Sequence, residues 1–277
     1  MPTPVLLAVL GAALLHAAWN AAIKSAPDKL LAAAVVTLGA ALLGALALLF
    51  LTQPDSASWP FIALSAGLHL GYYRLLAATY DDADFSHAYP LMRGSAPVLV
   101  ALANSGIETL TLSQTAAIAL VCAGGAVVCA GAGGPRAARR TLLLASLCAL
   151  AIASCTLVDG LGVRRSGSPA GYTAWLFVLT GVSVALASRR QLAGRLGATL
   201  RAQPWLALGG GVATAGSYGI ALWAMTLAPI AVVAALREMS VVFAAAIGAW
   251  VLRERVGPAR IAGAVLIAGG AAVLRLA

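Results

Sequence analysis

Arg237 and Glu238 stand side by side near the middle of the apolar run 228–252, and Arg93 stands near the middle of the run 85–104. A charge at the centre of a bilayer costs about 2.5 to 3.5 kcal/mol on insertion scales, so a chain keeps one there only where something compensates it. Two guanidinium groups facing one cavity suit a carboxylate or a phosphoryl group, which a fork of N–H donors holds bidentately. The plainer alternative is that Glu238 pairs with one arginine and ties the two helices together. Glu238 has no acidic counterpart at position 94, which is glycine, and is a candidate proton carrier in a coupling or gating role.

Around these charges the sequence offers further polar side chains at helical spacing. His16, Trp19, Asn20 and Lys24 fall at i, i+3, i+4 and i+8 and form one face. That face offers hydrogen bonds to a ligand or a proton site, or else hydrogen bonds between helices, typically worth about 0.6 kcal/mol. His69, Tyr72 and Tyr73 repeat the pattern at i, i+3 and i+4, and Tyr73 or Tyr72 is expected to line a cavity beside Tyr218, with Trp223 one turn on. Filling helix interfaces is the competing role for these rings. Asp159 lies off centre in its run, where pairing with Arg164 or Lys24 competes with a coupling role. Arg74 is expected to snorkel toward Asp81, Asp82 and Asp84. Pro90, Pro97 and Pro229 lie in or beside the runs that carry the arginines, where a proline bends a helix and frees carbonyls. Cys122, Cys129, Cys148 and Cys155 have no metal-binding spacing and read as small packing residues; no metal and no cofactor is expected.

The elements that must position these groups follow from composition. Of 277 residues, 61% are apolar and 10% charged, against about 25% charged in a soluble domain. A spanning helix needs roughly 20 mainly apolar residues, and ten such runs appear: 4–23, 30–51, 59–80, 85–104, 112–132, 141–163, 169–187, 204–226, 228–252 and 258–276. Continuous Leu/Ala/Val runs, without two-residue alternation, make them helices rather than barrel strands. The first run has no basic leader and is not expected to be a cleaved signal. Trp59, Trp175, Trp205 and Trp250 fall near run ends, as interfacial anchors do, and His87 is placed there too. Glycines 209–211, 263, 269 and 270 allow close helix approach.

The net charge of +9 does not indicate nucleic acid, because the basic residues sit in short connectors rather than on one soluble face. Connectors one, five, seven and nine carry twelve of them: Lys24, Lys29, Arg136, Arg139, Arg140, Arg189, Arg190, Arg195, Arg201, Arg253, Arg255 and Arg260. Only Arg164, Arg165 and Arg275 fall on the opposite side. The positive-inside rule makes the crowded side cytoplasmic and puts both termini outside.

The chain also repeats itself. A shift of 144 places Arg93 on Arg237 and Ala101 on Ala245. After a two-residue gap Glu108 falls on Glu254, Leu120 on Leu266, Gly124 on Gly270 and Val127 on Val273. Five helices per half make the second half enter the membrane from the opposite side, the inverted construction of many secondary transporters. The expected fold is therefore all-α, a polytopic membrane protein of ten transmembrane helices built as two inverted five-helix repeats, 1–134 and 135–277. The boundary falls in the Gly- and Arg-rich stretch 131–140.

Each half ends in a helix, a short turn with a glutamate and a last Gly-rich helix: Glu108 then 110–130, and Glu254 then 256–274. With the opening His16-Ala17-Ala18-Trp19-Asn20 and Lys24, this resembles the EamA-type transporters of the drug/metabolite transporter superfamily, over nearly the whole chain. The Glu108 turn has no adjacent basic residue where the Glu254 turn has Arg253 and Arg255, and the third connector is unusually acidic. The resemblance implies a permease or exporter of a small metabolite in a bacterial inner membrane; the positive-inside rule places both termini in the periplasm, and the paired arginines point to an amino acid or another carboxylate- or phosphoryl-bearing compound. Alternating access would run around Arg93, Arg237, His16, Asn20, Trp19, His69, Tyr73 and Tyr218, with Glu238 and Asp159 in coupling or gating. Expected partners are the small-molecule substrate, the lipid bilayer and a coupling proton; a homodimer stays open. The rival class is an intramembrane enzyme acting on a lipid or lipid-linked substrate. No HExxH, GxSxG or Walker A pattern is present, and no enzymatic activity is expected.

Overall fold

A computed structural model describes residues 2–82, 85–104, 106, 108–131, 139–250 and 257–276, with backbone only at 80–91, 131, 191–192, 248 and 250. Among these residues the chain is helical and contains no strand. Four helices precede the first glutamate turn: α1 (Thr3–Ser25), α2 (Lys29–Ala47), α3 (Trp59–Asp82) and α4 (Phe85–Asn104). Then come α5 (Leu112–Gly131), α6 (Arg139–Arg164) and α7 (Pro169–Ala187). Two short helices, α8 (Arg189–Leu192) and α9 (Leu196–Ala202), lie in the basic seventh connector. The chain closes with α10 (Pro204–Met225), α11 (Ile230–Arg237), α12 (Met239–Trp250) and α13 (Pro258–Leu276).

Starts and stops have local causes. Asp28 caps α2, its carboxylate accepting from Leu31 N–H at 2.9 Å, and Ser168 caps α7, its hydroxyl accepting from Gly171 N–H. Pro169 and Pro204 open α7 and α10, where a missing donor costs nothing. Gly167, at φ +60°, makes the left-handed turn between α6 and α7. α2 ends short of the expected 51; residues 48–50 form a turn in which Leu49 and Phe50 are exposed.

Nine stretches of the described residues are long and apolar enough to cross a membrane, α11 and α12 counting together as one. α4 has the length but not the hydropathy, since it carries Ser86, His87, Arg93 and Ser95. Leucines and valines such as Leu7, Leu42, Leu102, Leu112 and Val265 stand exposed on the outside of the bundle, as expected where the solvent is hydrocarbon.

The expected ninth span is broken. Glu238 leaves the helix with Glu238 N–H donating to Ala235 O, and Val241 N–H donating to Glu238 O at 2.9 Å, a tightening to i→i−3 bonds. The proline reading is corrected here: Pro229 precedes α11 with φ −56° and ψ 139° and starts the helix rather than bending it. The carbonyl freed toward the interior is that of Arg237, at the break.

Packing brings α5 onto α13, α2 onto α7 and α10, α3 onto α6 and α7, α1 onto α10, α11 and α12, and α4 onto α5 and α6. Glycines set the closest approaches. A side chain at Gly39 of α2 would collide with the backbone of Ala207 in α10, and one at Gly263 of α13 would strike Gly124 and Val128 of α5. Gly210, Gly211 and Gly270 act likewise, whereas Gly209 faces open space and Gly269 only ordinary contact. Two apolar cores result. One gathers Val5, Val9, Ile62, Val163, Leu222 and Ile230 toward the Glu108 end; the other gathers Ile23, Leu31, Val35, Leu76 and Met92 toward the Asp28 end. The polar groups lie between them.

Candidate functional site

At that level a partly open cavity is lined by α1, α3, α4, α6, α7, α10 and α11; it holds about 500 Å³ of space free of protein atoms, its open mouth included, of which about 50 Å³ is wide enough for a water-sized sphere. Since one water needs roughly 10 to 15 Å³ on that measure, the site as it stands fits a few waters, and a larger guest requires the walls to part. Eight of the residues expected from the sequence to line a cavity meet here: His16 and Trp19 from α1, His69, Tyr72 and Tyr73 from α3, Arg93 from α4, Tyr218 from α10 and Arg237 from α11.

The two arginines are buried, 5% and 6% exposed, but differ in their surroundings. Arg93 Nη2 lies 2.8 Å from Glu238 Oε1 and donates to the freed Arg237 carbonyl at 3.3 Å and to Ser240 Oγ at 3.5 Å. α4 is thereby clamped to the break between α11 and α12. The guanidinium of Arg237 lies over the Tyr218 ring, 5.2 Å from its centroid. Among the described residues it has neither carboxylate partner nor hydrogen bond. An adjoining smaller void runs between Arg93, Arg237 and Glu238 toward Pro97 and Val100.

Tyr218 is held in turn. Its hydroxyl donates to Asp159 Oδ2 at 2.5 Å, and Tyr172 donates to Oδ1 at 2.8 Å. Asp159 is therefore fully buried behind the cavity wall and pairs with neither Arg164 nor Lys24, which corrects that expectation. His69 packs edge-on against Tyr218, ring centroids 5.4 Å apart, with Nδ1 near Ser65 O at 2.9 Å and Ser65 Oγ at 3.1 Å. His16 and Trp19 are edge-to-face at 5.1 Å. Asn20 is not brought to the cavity: it is 1% exposed, and its amide donates to His16 O, one turn back on its own helix. Trp223, expected beside Tyr218, instead faces a groove between α2, α7 and α10.

Sequence reasoning passed over Thr156 of α6, Phe177 of α7, and Thr214 and Ser217 of α10, all on the cavity wall. Small hydroxyl residues and a single Phe are common in membrane helices and carry no signal that sets these four apart. It also missed the partner of Glu108. Arg164 Nη1 meets Glu108 Oε1 at 2.5 Å, although the residues lie in different connectors. Glu108 Oε2 accepts from Asn104 Nδ2 and from Ile230 N–H, the first amide of α11. Arg164 also donates to Met225 O and Ala228 O at the end of α10. Arg74 donates to Ala187 O at the end of α7. Asp84, Arg136, Arg253, Glu254 and Arg255 lie outside the described residues, as do the side chains of Asp81, Asp82, His87, Pro90 and Trp250.

A multi-helix bundle whose apolar flanks could only face lipid, with a charged and aromatic cavity between two apolar cores, has the build of a membrane transporter. The EamA-like transporter family matches over residues 139–276, and the chain belongs to that family, within the drug/metabolite transporters. Chains of solved structures match as well, 28 in all. One crystal structure has a TM-score of 0.71, covers 100% of this chain and 98% of its own, and shares 22% sequence identity; at that identity the likeness speaks for the fold. No curated protein matches.

Proposed function

We propose that the protein is a secondary transporter of ten spans, with α4 the tenth, that carries a small anionic metabolite through the Arg93–Arg237 cavity by alternating access. The observation that carries this reading is a pair of buried guanidinium groups at a break in a helix, on the wall of a cavity between two apolar cores. Broken helices are a recurring device for midplane sites in transporters, because they turn backbone polar groups inward.

Inverted repeats at 1–134 and 135–277 are supported by how the helices pair. If α1 corresponds to α6, α2 to α7, α3 to α10, α4 to α11 with α12, and α5 to α13, each principal contact has a counterpart. α3 on α6 answers α10 on α1. α3 on α7 answers α10 on α2, and α4 on α6 answers α1 on α11 and α12. α2 on α7 and α5 on α13 then straddle the twofold axis. The basic connectors favour the Asp28 end as cytoplasmic and both termini as periplasmic in a bacterial inner membrane.

In this reading Glu238 couples transport to a proton. A proton on Glu238 removes the charge that holds Arg93, freeing that guanidinium and loosening α4 from the break. The test is reconstitution into liposomes with a panel of radiolabelled amino acids, organic acids and phosphonates. Arg93→Ala and Arg237→Ala are expected to lower uptake of the transported compound at least about a hundredfold, as loss of a buried charged partner does, and Arg93→Ala, which leaves Glu238 unpaired, to lower the melting temperature as well. Native rates in both variants would end the proposal. Glu238→Gln is expected to abolish uptake driven by a pH gradient while substrate exchange persists.

A further inference from the structure

Resting on that transport reading, we infer that the substrate is a flat organic acid carrying a single carboxylate and no ammonium group, its carboxylate held by Arg237 and its body by the aromatic wall. The sequence offers two guanidinium groups, but the structure leaves only one open. While Glu238 is charged, the state in which the substrate is taken up, Arg93 is committed to Glu238, the Arg237 carbonyl and Ser240, so its charge is balanced before anything enters. Arg237 lies over the Tyr218 ring and, among the described residues, has no carboxylate partner. One open positive charge in a low-dielectric site matches one negative charge; a phosphoryl dianion would bring a second that nothing on the cavity wall balances.

The same accounting argues against an amino acid. An ammonium group needs a carboxylate that faces the cavity, and both nearby candidates are turned away. Asp159 is fully buried with its two oxygens taken by Tyr172 and Tyr218. Glu238 is paired directly with Arg93, lines only the adjoining smaller void and is not on the wall of the main cavity. What the wall does offer is rings. Trp19, Tyr72, Tyr73, Phe177 and Tyr218 surround the space, and rings stack on or meet edge-on a flat aromatic body better than a puckered aliphatic one. Two wall residues also hold unused hydrogen-bonding capacity: Trp19 Nε1 and Thr214 Oγ1 are buried without a partner among the described residues. An indole N–H on the same cavity wall as the guanidinium can serve the second carboxylate oxygen.

The test measures binding by calorimetry on the full-length protein in lipid nanodiscs with phenylacetate, phenylalanine, phenyl phosphate as the dianion, and cyclohexylacetate. Phenylacetate is expected to bind at least about tenfold tighter than the other three. Arg237→Gln is expected to weaken it about ten- to a hundredfold, the range for a lost hydrogen bond to a charged group, and Trp19→Phe to weaken it less. Melting temperature confirms that both variants fold. If phenylalanine or phenyl phosphate binds tighter than phenylacetate and still depends on Arg237, the substrate class is wrong and the transport site stands. If cyclohexylacetate matches phenylacetate, flatness is wrong. Binding that ignores Arg237→Gln removes the class and the central site together, and no binding by any of the four overturns the class.

Discussion

The two ends of the bundle are fastened by interactions of different character. At one end Glu108 and Arg164, with side chains 16% and 30% exposed, join the turn after α4, the end of α6, the last carbonyls of α10 and the first amide of α11 in one cluster. A second fastening there links Thr52 and Ser168, and Asp55 N–H to Ser166 O. At the other end Asp28 and Arg195 meet at 2.7 Å, but with side chains 35% and 55% exposed. The first cluster satisfies helix-end backbone groups that water reaches poorly, whereas the second is a surface ion pair of the kind worth about 0 to 1 kcal/mol. Ion pairs with similar lengths can therefore contribute very differently to holding a transporter shut.

The largest expected effect comes from Arg164→Ala, which orphans two carbonyls of the α10 end as well as Glu108. Stability should fall by about 2 kcal/mol, read as a lower melting temperature in detergent. With Cys122, Cys129 and Cys148 replaced by alanine, Cys155 on the cavity wall should also label faster with an impermeant maleimide applied from the Glu108 side. The swap Glu108→Arg with Arg164→Glu sharpens the point. It restores opposite charges but leaves nothing to donate to Met225 O and Ala228 O, so it should recover less than half of the lost melting temperature. Full recovery would mean that charge alone fastens this end.

Smaller effects are expected at the other end. Asp28→Ala should cost about 1 kcal/mol through loss of the α2 cap, and Asp28→Asn only a few tenths, since asparagine caps as well. The Leu31 N–H holds the Asp28 carboxyl below its ordinary range, against a smaller opposing effect of burial and with help from Arg195. A carboxyl depressed in the folded state adds stability in full above its unfolded pKa of about 3.9, and that contribution disappears as pH falls through the lower folded value. The melting difference between wild type and Asp28→Ala should thus be flat from about pH 6 to 8 and shrink below about pH 4. Smallest of all, Arg195→Ala should change melting by less than about 1 kcal/mol and vanish into noise at high salt.

Most helix boundaries were legible because lipid imposes a length and forbids unsatisfied backbone, a rule that acts locally along the chain. The runs 85–104, 169–187 and 258–276 match α4, α7 and α13 residue for residue. Arg93, Arg237, His16, His69 and Tyr218 were legible for a related reason: polar groups amid apolar sequence must turn away from lipid, and the interior of one bundle is shared. Pairings were another matter. Nothing in the sequence tells Asp159 to take two tyrosine hydroxyls in place of Arg164, or Glu108 to find an arginine 56 positions further on. Such choices depend on which connectors meet at one end. The break at Glu238 was hidden as well, because no residue there spoils helices by itself and what occupies the freed carbonyl, Arg93, comes from another helix.

The glycine contacts between α5 and α13 have a mechanical consequence. Gly124, Gly263 and Gly270 bring the two backbones so close that each helix sits in a notch of the other, and a notched pair resists shear along its length, since sliding by one residue drives a side chain into main-chain atoms. Such a pair behaves as an axle rather than a bearing surface. A displacement between the halves would have to be taken up elsewhere, and among the described residues the short segment at Glu238 already lacks a continuous ladder of hydrogen bonds.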